Sequence, residues 1–209
     1  MATLVQNWSL VFTVCFLSSV VRCQPLSRAL ALGGSNMKSA LLVIDVQNGV
    51  FGSTNPPYLS ECVISNIKLL LGYASSSEIK IVFIQHEIPG VLEPGSDAWQ
   101  LFSDLTINDS SYKIRKRTPD SFHDTNLREY LDENEIEHVL ICGYSTEFCI
   151  DRTAFSAASK GYKVTLIEDA HTTHGKPHLD APSIIAHHSF TLSKHPNIVL
   201  NSTATLTSG

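Results

Sequence analysis

The sequence predicts an α/β fold, a three-layer α/β/α arrangement with a mostly parallel central sheet, and three observations predict it. Short aliphatic runs recur that are apolar at every position, not at alternate ones, as in strands buried on both faces. Segments with helical spacing separate those runs, and parallel neighbours need such crossovers. Polar residues gather where the runs end, and the carboxyl ends of strands are where ligands collect in an open α/β sheet.

Residues 40–46 form the first run, with Asp45 and Gln47 at its end. Apolar positions at Val63, Ile67, Leu70, Leu71 and Ala74 then keep a helical spacing over 62–75, and 79–84 is a second buried run, which completes a βαβ unit. Pro89, Gly90, Pro94 and Gly95 mark a long loop. A helix is expected over 125–133, with Leu127, Tyr130 and Leu131 on one face. Residues 138–142 form a third strand that Gly143 is expected to stop, and a helix of small residues runs over 146–160 to Gly161. Residues 164–167 add a strand, and one more short apolar run follows from 197.

The chain has 209 residues, 43% hydrophobic and 17% charged, enough apolar material for one sizeable core and too short for two full domains. Its formal net charge of -5 leaves no broad cationic surface, and the basic residues of 113–117 are interrupted by Ile114, so nucleic acid is excluded as a partner. Residues 10–21 are apolar over the length of a signal h-region and are followed by Arg22, Cys23, Gln24 and Pro25. The expectation is a signal peptide over 1–23 and the secretory pathway, then a flexible lead-in over 24–37 and one domain over 38–209. The first residues carry no Lys or Arg, and Met37 stands just before the first strand, which keeps an N-terminal extension and a cytoplasmic chain started at Met37 as the alternative. No other segment approaches the roughly 18 to 20 apolar residues of a membrane span. Cleavage near Cys23 would leave Cys62, Cys142 and Cys149, an odd count that suits a nucleophile better than a disulfide scaffold. Sequons at Asn108 and Asn201 matter only in the secretory pathway.

Three residues carry the candidate chemistry. Asp45 follows four aliphatic residues, and a carboxylate so close to a buried strand needs a charged partner or a proton. A turn-capping role is equally open to it. Cys149 follows a strand and a glycine, in the first turn of the helix expected from Thr146, where the dipole and free N–H groups favour a thiolate and can hold an oxyanion. A buried small hydrophobe is the other fate of a cysteine, and it describes Cys62 and Cys142 better. Lys116 lies in a basic stretch, and the residues alone do not separate it from Lys113, Arg115 or Arg117.

Taken together, four segments over about 39–173 resemble the isochorismatase-like cysteine hydrolases, which include nicotinamidases, N-carbamoyl amide hydrolases, isochorismatase and streptothricin hydrolase. They are Leu42-Val-Ile-Asp45-Val-Gln47; Lys116 six residues before Phe122, with Thr125 and Leu127 following; Gly143-Tyr-Ser-Thr146-Glu-Phe-Cys149-Ile-Asp-Arg-Thr153; and Gly161-Tyr-Lys-Val164 leading to Glu168-Asp169-Ala170. The resemblance selects Lys116 from its cluster. It implies Cys149 as nucleophile, Asp45 as general base and proton carrier in both halves of the reaction, and Lys116 as the cation that stabilises thiolate and developing charge. It also implies a cis peptide between Tyr144 and Ser145, an oxyanion hole from the N–H groups of Ser145 and Cys149, and a homo-oligomer, dimer or tetramer. A lysine beside both groups should lower the thiol pKa.

The expected reaction cleaves a small amide-type C–N bond through a thioester; vinyl-ether hydrolysis of isochorismate and a silent binding or effector protein are the alternatives. Where nicotinamidases carry an Asp-x-His metal pair, this chain has Ile84-Gln85-His86-Glu87, with Gln85 where the aspartate should be, so no metal and no cofactor are expected. The residues of 94–101 resemble the metal-free members. Gln47, Trp99, Phe122, Tyr144 and Phe148 are the candidate substrate-binding residues, each with a packing role as the alternative.

Overall fold

The computed structural model describes residues 37–107 and 111–208. The expected signal segment, most of the lead-in and Asn108 lie outside the described residues. The elements in order are β1 (Ser39–Ile44), α1 (Asn48–Phe51), α2 (Ser60–Ser76), β2 (Lys80–His86), β3 (Tyr112–Lys116), α3 (Leu127–Glu133), β4 (His138–Tyr144), a π-helical turn (Thr146–Ile150), α4 (Asp151–Ser159), β5 (Lys163–Thr172), α5 (Ala181–Leu192), β6 (Ile198–Asn201) and α6 (Thr203–Thr207). Among the described residues no helix is long and apolar enough to cross a membrane.

Six strands form one sheet in the order β3-β2-β1-β4-β5-β6, and every pairing is parallel. The chain builds outward from β1 to β3, then crosses back to lay β4 on the other side of β1. That reversal is the switch point at which α/β sheets open a crevice above their carboxyl ends.

Alternate residues of β1 explain its unbroken apolar run. Ala40, Leu42 and Ile44 face a core shared with Leu127 and Leu131 of α3 and Ala154 and Ala157 of α4. Leu41 and Val43 face the opposite core, with Val63, Ile67, Leu70 and Leu71 of α2. Helices on both sides leave the strand no polar face. The alanines of α4 let that helix lie close on the sheet, and α5 begins at Asp180, whose carboxylate accepts the Ser183 N–H at 2.9 Å.

Three elements depart from expectation. The basic stretch before Lys116 is an edge strand, β3, and 181–192 is a helix the apolar spacing had not marked. Gly143 does not stop β4 but lies within it, at φ +118, paired with Ile44 of β1. A Cβ there would sit 2.0 Å from the Ile44 carbonyl oxygen, so the approach of β4 to β1 requires glycine.

Candidate active site

Four strand ends converge on one cluster. Asp45 is the residue after β1, turned into the left-handed region at φ 54 while its N–H still donates to the Ile84 oxygen at 2.8 Å. Such a conformation in a non-glycine residue costs energy and is concentrated at functional positions. Lys116 ends β3 and lies in direct register with His86, which ends β2. Cys149 stands on the π turn after β4, and the peptide bond between Tyr144 and Ser145 that leads into that turn is cis.

The side chains meet around the Lys116 ammonium. Its Nζ donates to Asp45 Oδ2 at 2.9 Å, to Cys149 Sγ at 3.1 Å and to the Thr118 oxygen at 3.3 Å, and lies 3.3 Å from His86 Nδ1. His86 Nδ1 is also 3.5 Å from Asp45 Oδ2 and 3.7 Å from Cys149 Sγ. The second Asp45 oxygen, Oδ1, is buried with no hydrogen-bond partner among the described residues, which leaves it free to accept a proton. Ligand atoms of Asp45, His86 and Cys149 fall within 4.8 Å of one another, a spacing a metal ion can use. Here the ammonium already lies in contact with all three and supplies the cation.

Burial and neighbouring charges compete over the charge states. It works to push the Asp45 carboxyl up, but the Lys116 charge and then the His86 hydrogen bond outweigh it and hold the group below the usual carboxylate range. Burial works in the same way to lower the Lys116 ammonium, and the Asp45 and Cys149 charges overturn it, so its pKa is raised. For Cys149, burial and then the Asp45 charge push the thiol well above its ordinary value, and Lys116 offsets only part. The lysine acts on the thiol in the expected direction, but burial and the Asp45 charge outweigh it. The resting cluster is an Asp45–Lys116 ion pair beside a neutral thiol, which must lose its proton as it attacks.

The remaining sequence candidates divide between site and frame. Tyr144 stands beside the cluster: burial and the charges of Glu147, Cys149 and Asp45 push its phenol up to about 12, and its Oη lies 2.8 Å from His174 Nδ1. Phe148 is 52% exposed on the π turn, with the Lys176 ammonium over its ring and Lys176 paired to Glu147 at 2.7 Å. Trp99 is half-buried under the Arg115 guanidinium. Gln47 is fully buried, with its oxygen accepting the His86 N–H at 2.9 Å and its amide donating to the His86 and Trp99 carbonyls. Phe122 packs in the core against Tyr162. Neither Gln47 nor Phe122 is placed as a pocket wall, since the first spends its polar atoms on backbone and the second its ring on packing.

His86 belongs to the cluster, though the sequence analysis met it only at the place of the nicotinamidase metal pair. The signal lay in the register of β2 with β3, which a sequence without a recognised β3 does not display. His171 was likewise unassigned. It is buried between Thr146 Oγ1 at 2.9 Å and Ser189 Oγ at 3.3 Å, and so ties the start of the π turn to α5.

Comparison with known proteins decides the family. The model of the Isochorismatase domain matches residues 39–184. The chain belongs to the isochorismatase family. This isochorismatase-family chain is 30% identical over 140 residues to a streptothricin hydrolase of Streptomyces noursei, a match covering 66% of this chain and 51% of that enzyme, so the chain spans about half its length. It is 29% identical over 154 residues to the secreted isochorismatase effector Isc1 of Verticillium dahliae, covering 72% of this chain and 81% of the effector. Among solved structures, an isochorismatase family protein superposes with a TM-score of 0.74 at 32% identity, over 78% of this chain and 98% of that one. A cysteine hydrolase from Pseudomonas syringae pv. phaseolicola, at 18% identity and a TM-score of 0.79 over 90% of this chain and 97% of that one, shares the fold.

Proposed function

We propose that this family member hydrolyses a small amide-type C–N bond, with Cys149 as nucleophile, Asp45 as proton carrier and Lys116 as the fixed cation. The observation that carries the reading is the contact of Lys116 Nζ with both Asp45 Oδ2 at 2.9 Å and Cys149 Sγ at 3.1 Å. A neutral thiol beside a carboxylate with one unused oxygen is a nucleophile and its base.

In this reading the thiol adds to the substrate carbonyl as its proton passes to Asp45. The tetrahedral oxyanion is held by the N–H groups of Ser145, just before the π turn, and Cys149, within it. Collapse breaks the C–N bond, Asp45 gives its proton to the departing nitrogen, and a thioester remains for water to cleave. Lys116 keeps Asp45 ionised between steps and stabilises sulfur when it carries charge. Tyr144, Phe148 and Trp99 form the walls, and the Glu147–Lys176 pair stands at the rim.

Cys149→Ala and Asp45→Asn are each expected to abolish ammonia or amine release while the circular dichroism spectrum stays that of the folded chain. Unchanged turnover in either variant overturns the assignment. Isochorismate hydrolysis is the second reading, favoured by the similarity to the secreted effector over 72% of the chain. It leaves the thiol contacts of Lys116 without a use.

A further inference from the structure

The amide reading leaves one charge of the π turn without a task. Glu147 stands two residues before Cys149, and its side chain is only 12% exposed. Burial works to raise its pKa, but its neighbours, Lys176 foremost, outweigh it and keep the group ionised. Both carboxylate oxygens are sealed without a hydrogen bond of ordinary geometry among the described residues, and Lys176 Nζ, 2.7 Å from Oε1, is the one cation paired to them there. The same ammonium lies 5.9 Å from the centre of the Phe148 ring. A carboxylate beside an aromatic face is an arrangement that selects a cation.

The cation that fills this corner is held by its side chain alone. Lys176 lies in the turn between β5 and α5 and is the only residue of 175–180 that is not exposed. The turn closes on itself, with the Lys176 N–H donating to the Leu179 oxygen at 2.7 Å and the Leu179 N–H donating back at 3.2 Å. Its root is fixed at His174, which lies 2.8 Å from Tyr144 Oη and 2.8 Å from the Asn55 oxygen. Only a flexible four-carbon stem carries the ammonium to Glu147, and rotation of that stem removes it with the backbone in place. The corner also adjoins the reacting groups. Beyond its own burial, the Tyr144 phenol feels the charges of Glu147, Cys149 and Asp45, so one wall residue joins the nucleophile to the rim.

We infer that Glu147 and Phe148 form the binding place for a primary ammonium on the substrate, which takes the position of the Lys176 ammonium while the substrate's amide carbonyl meets Cys149. The inference rests on the amide reading above and narrows its substrate class to small amides that carry an amino group at the far end. Charge stays in balance, because one ammonium replaces another against the same carboxylate and Lys176 turns out to solvent. Lys176 is thus a stand-in that keeps Glu147 paired between turnovers, and it competes with the substrate for the place.

The test measures ammonia released by the purified full chain from three primary amides: 6-aminohexanamide; heptanamide, equal in heavy atoms and uncharged; and adipamate, which carries an anion instead. The readout is the ratio of kcat/KM for 6-aminohexanamide to that for heptanamide. Lys176→Met removes the competitor and is expected to raise this ratio about tenfold, the scale of one charge-assisted hydrogen bond, chiefly through KM. Glu147→Gln is expected to lower it below the wild-type value. Arg117→Met removes an equal charge beside Lys116, from a side chain 81% exposed, and is expected to keep the wild-type ratio. A rise in Arg117→Met equal to that in Lys176→Met marks a general field and overturns the inference. So does an unchanged ratio in Lys176→Met or in Glu147→Gln. A preference for adipamate that Lys176→Met abolishes overturns it as well, since Lys176 is then the reader of an anion. Ammonia from none of the three amides strikes the amide reading itself, and this inference falls with it.

Discussion

At the scale of residues, the site works by giving one ammonium more neighbours than it has protons. Lys116 holds Asp45 ionised and stays charged itself, and that pairing has a defined pH window. A carboxyl held below its ordinary value stabilises the fold above its unfolded pKa, near 3.8, and the benefit is lost as pH falls through the lower folded value. A raised lysine stabilises below its unfolded pKa, near 10.5, and the benefit is lost as pH rises through the higher folded value. The pair therefore contributes steadily across the neutral range. Gln47 supports the cluster from behind, and its replacement is a test of framing as distinct from chemistry. Gln47→Leu, similar in volume, strips the His86 N–H of its acceptor and the His86 carbonyl of its donor at a buried point. The expected cost is about 2 to 3 kcal/mol, read as a lower urea midpoint together with slower turnover. A midpoint equal to that of the wild-type chain would show that the amide is not a strut.

At the scale of elements, the lone glycine of β4 and the buried histidine of β5 matter most. Gly143→Ala would drive a Cβ into the Ile44 carbonyl at 2.0 Å, between the two strands that carry Asp45 and lead to Cys149. A loss of about 3 kcal/mol or more is expected, and a variant as stable as the wild type would contradict the close pairing of Gly143 with Ile44. His171, held neutral by burial and then by the nearby His188 charge, is pushed down to about 4 from 6.5. Its depressed value means that the unfolded chain takes up a proton below pH 6.5 that the folded chain refuses. Stability should fall between about pH 6.5 and 4, on the order of 3 kcal/mol, and level off below. Urea midpoints at pH 7 and pH 4.5 check this, with a smaller drop expected in His171→Gln; an equal drop in both chains would place the loss elsewhere. Asp151, 2.8 Å from His188, and Ser189 face the same network from α4 and α5. The same elements explain what the sequence could show. Strands buried on both faces were legible as unbroken apolar runs, and so were the helices between them. β3 was not, because an edge strand buries only alternate positions: Ile114 and Lys116 point inward while Lys113 and Arg115 stay exposed. That period of two, counted from Ile114, is the physical signal that separates Lys116 from its neighbours, and it becomes readable only once the basic stretch is taken as a strand. Gly143 was misread because a glycine required by a close strand approach and one that ends a strand look alike in sequence. The π turn and the place of His86 depend on contacts distant in the chain, which no local spacing reports.

At the scale of the whole molecule, the doubly wound sheet explains why residues at positions 45, 86, 116 and 149 belong together. Each lies at or just beyond the carboxyl end of its strand or in the turn that follows, and the reversal between β1 and β4 opens the crevice there. The fold is shared with other isochorismatase-family proteins, so the fold alone does not choose the substrate. In the proposed reading the choice is carried by the chemistry of the cluster, a buried thiol and a carboxylate both in contact with one ammonium. The most direct measurement is a product screen of the purified chain against primary amides, carbamoyl compounds and isochorismate, following ammonia and pyruvate, with Cys149→Ala in parallel. Ammonia released from an amide or carbamoyl compound and lost in Cys149→Ala is the expected result. Pyruvate released from isochorismate and surviving in Cys149→Ala would contradict it.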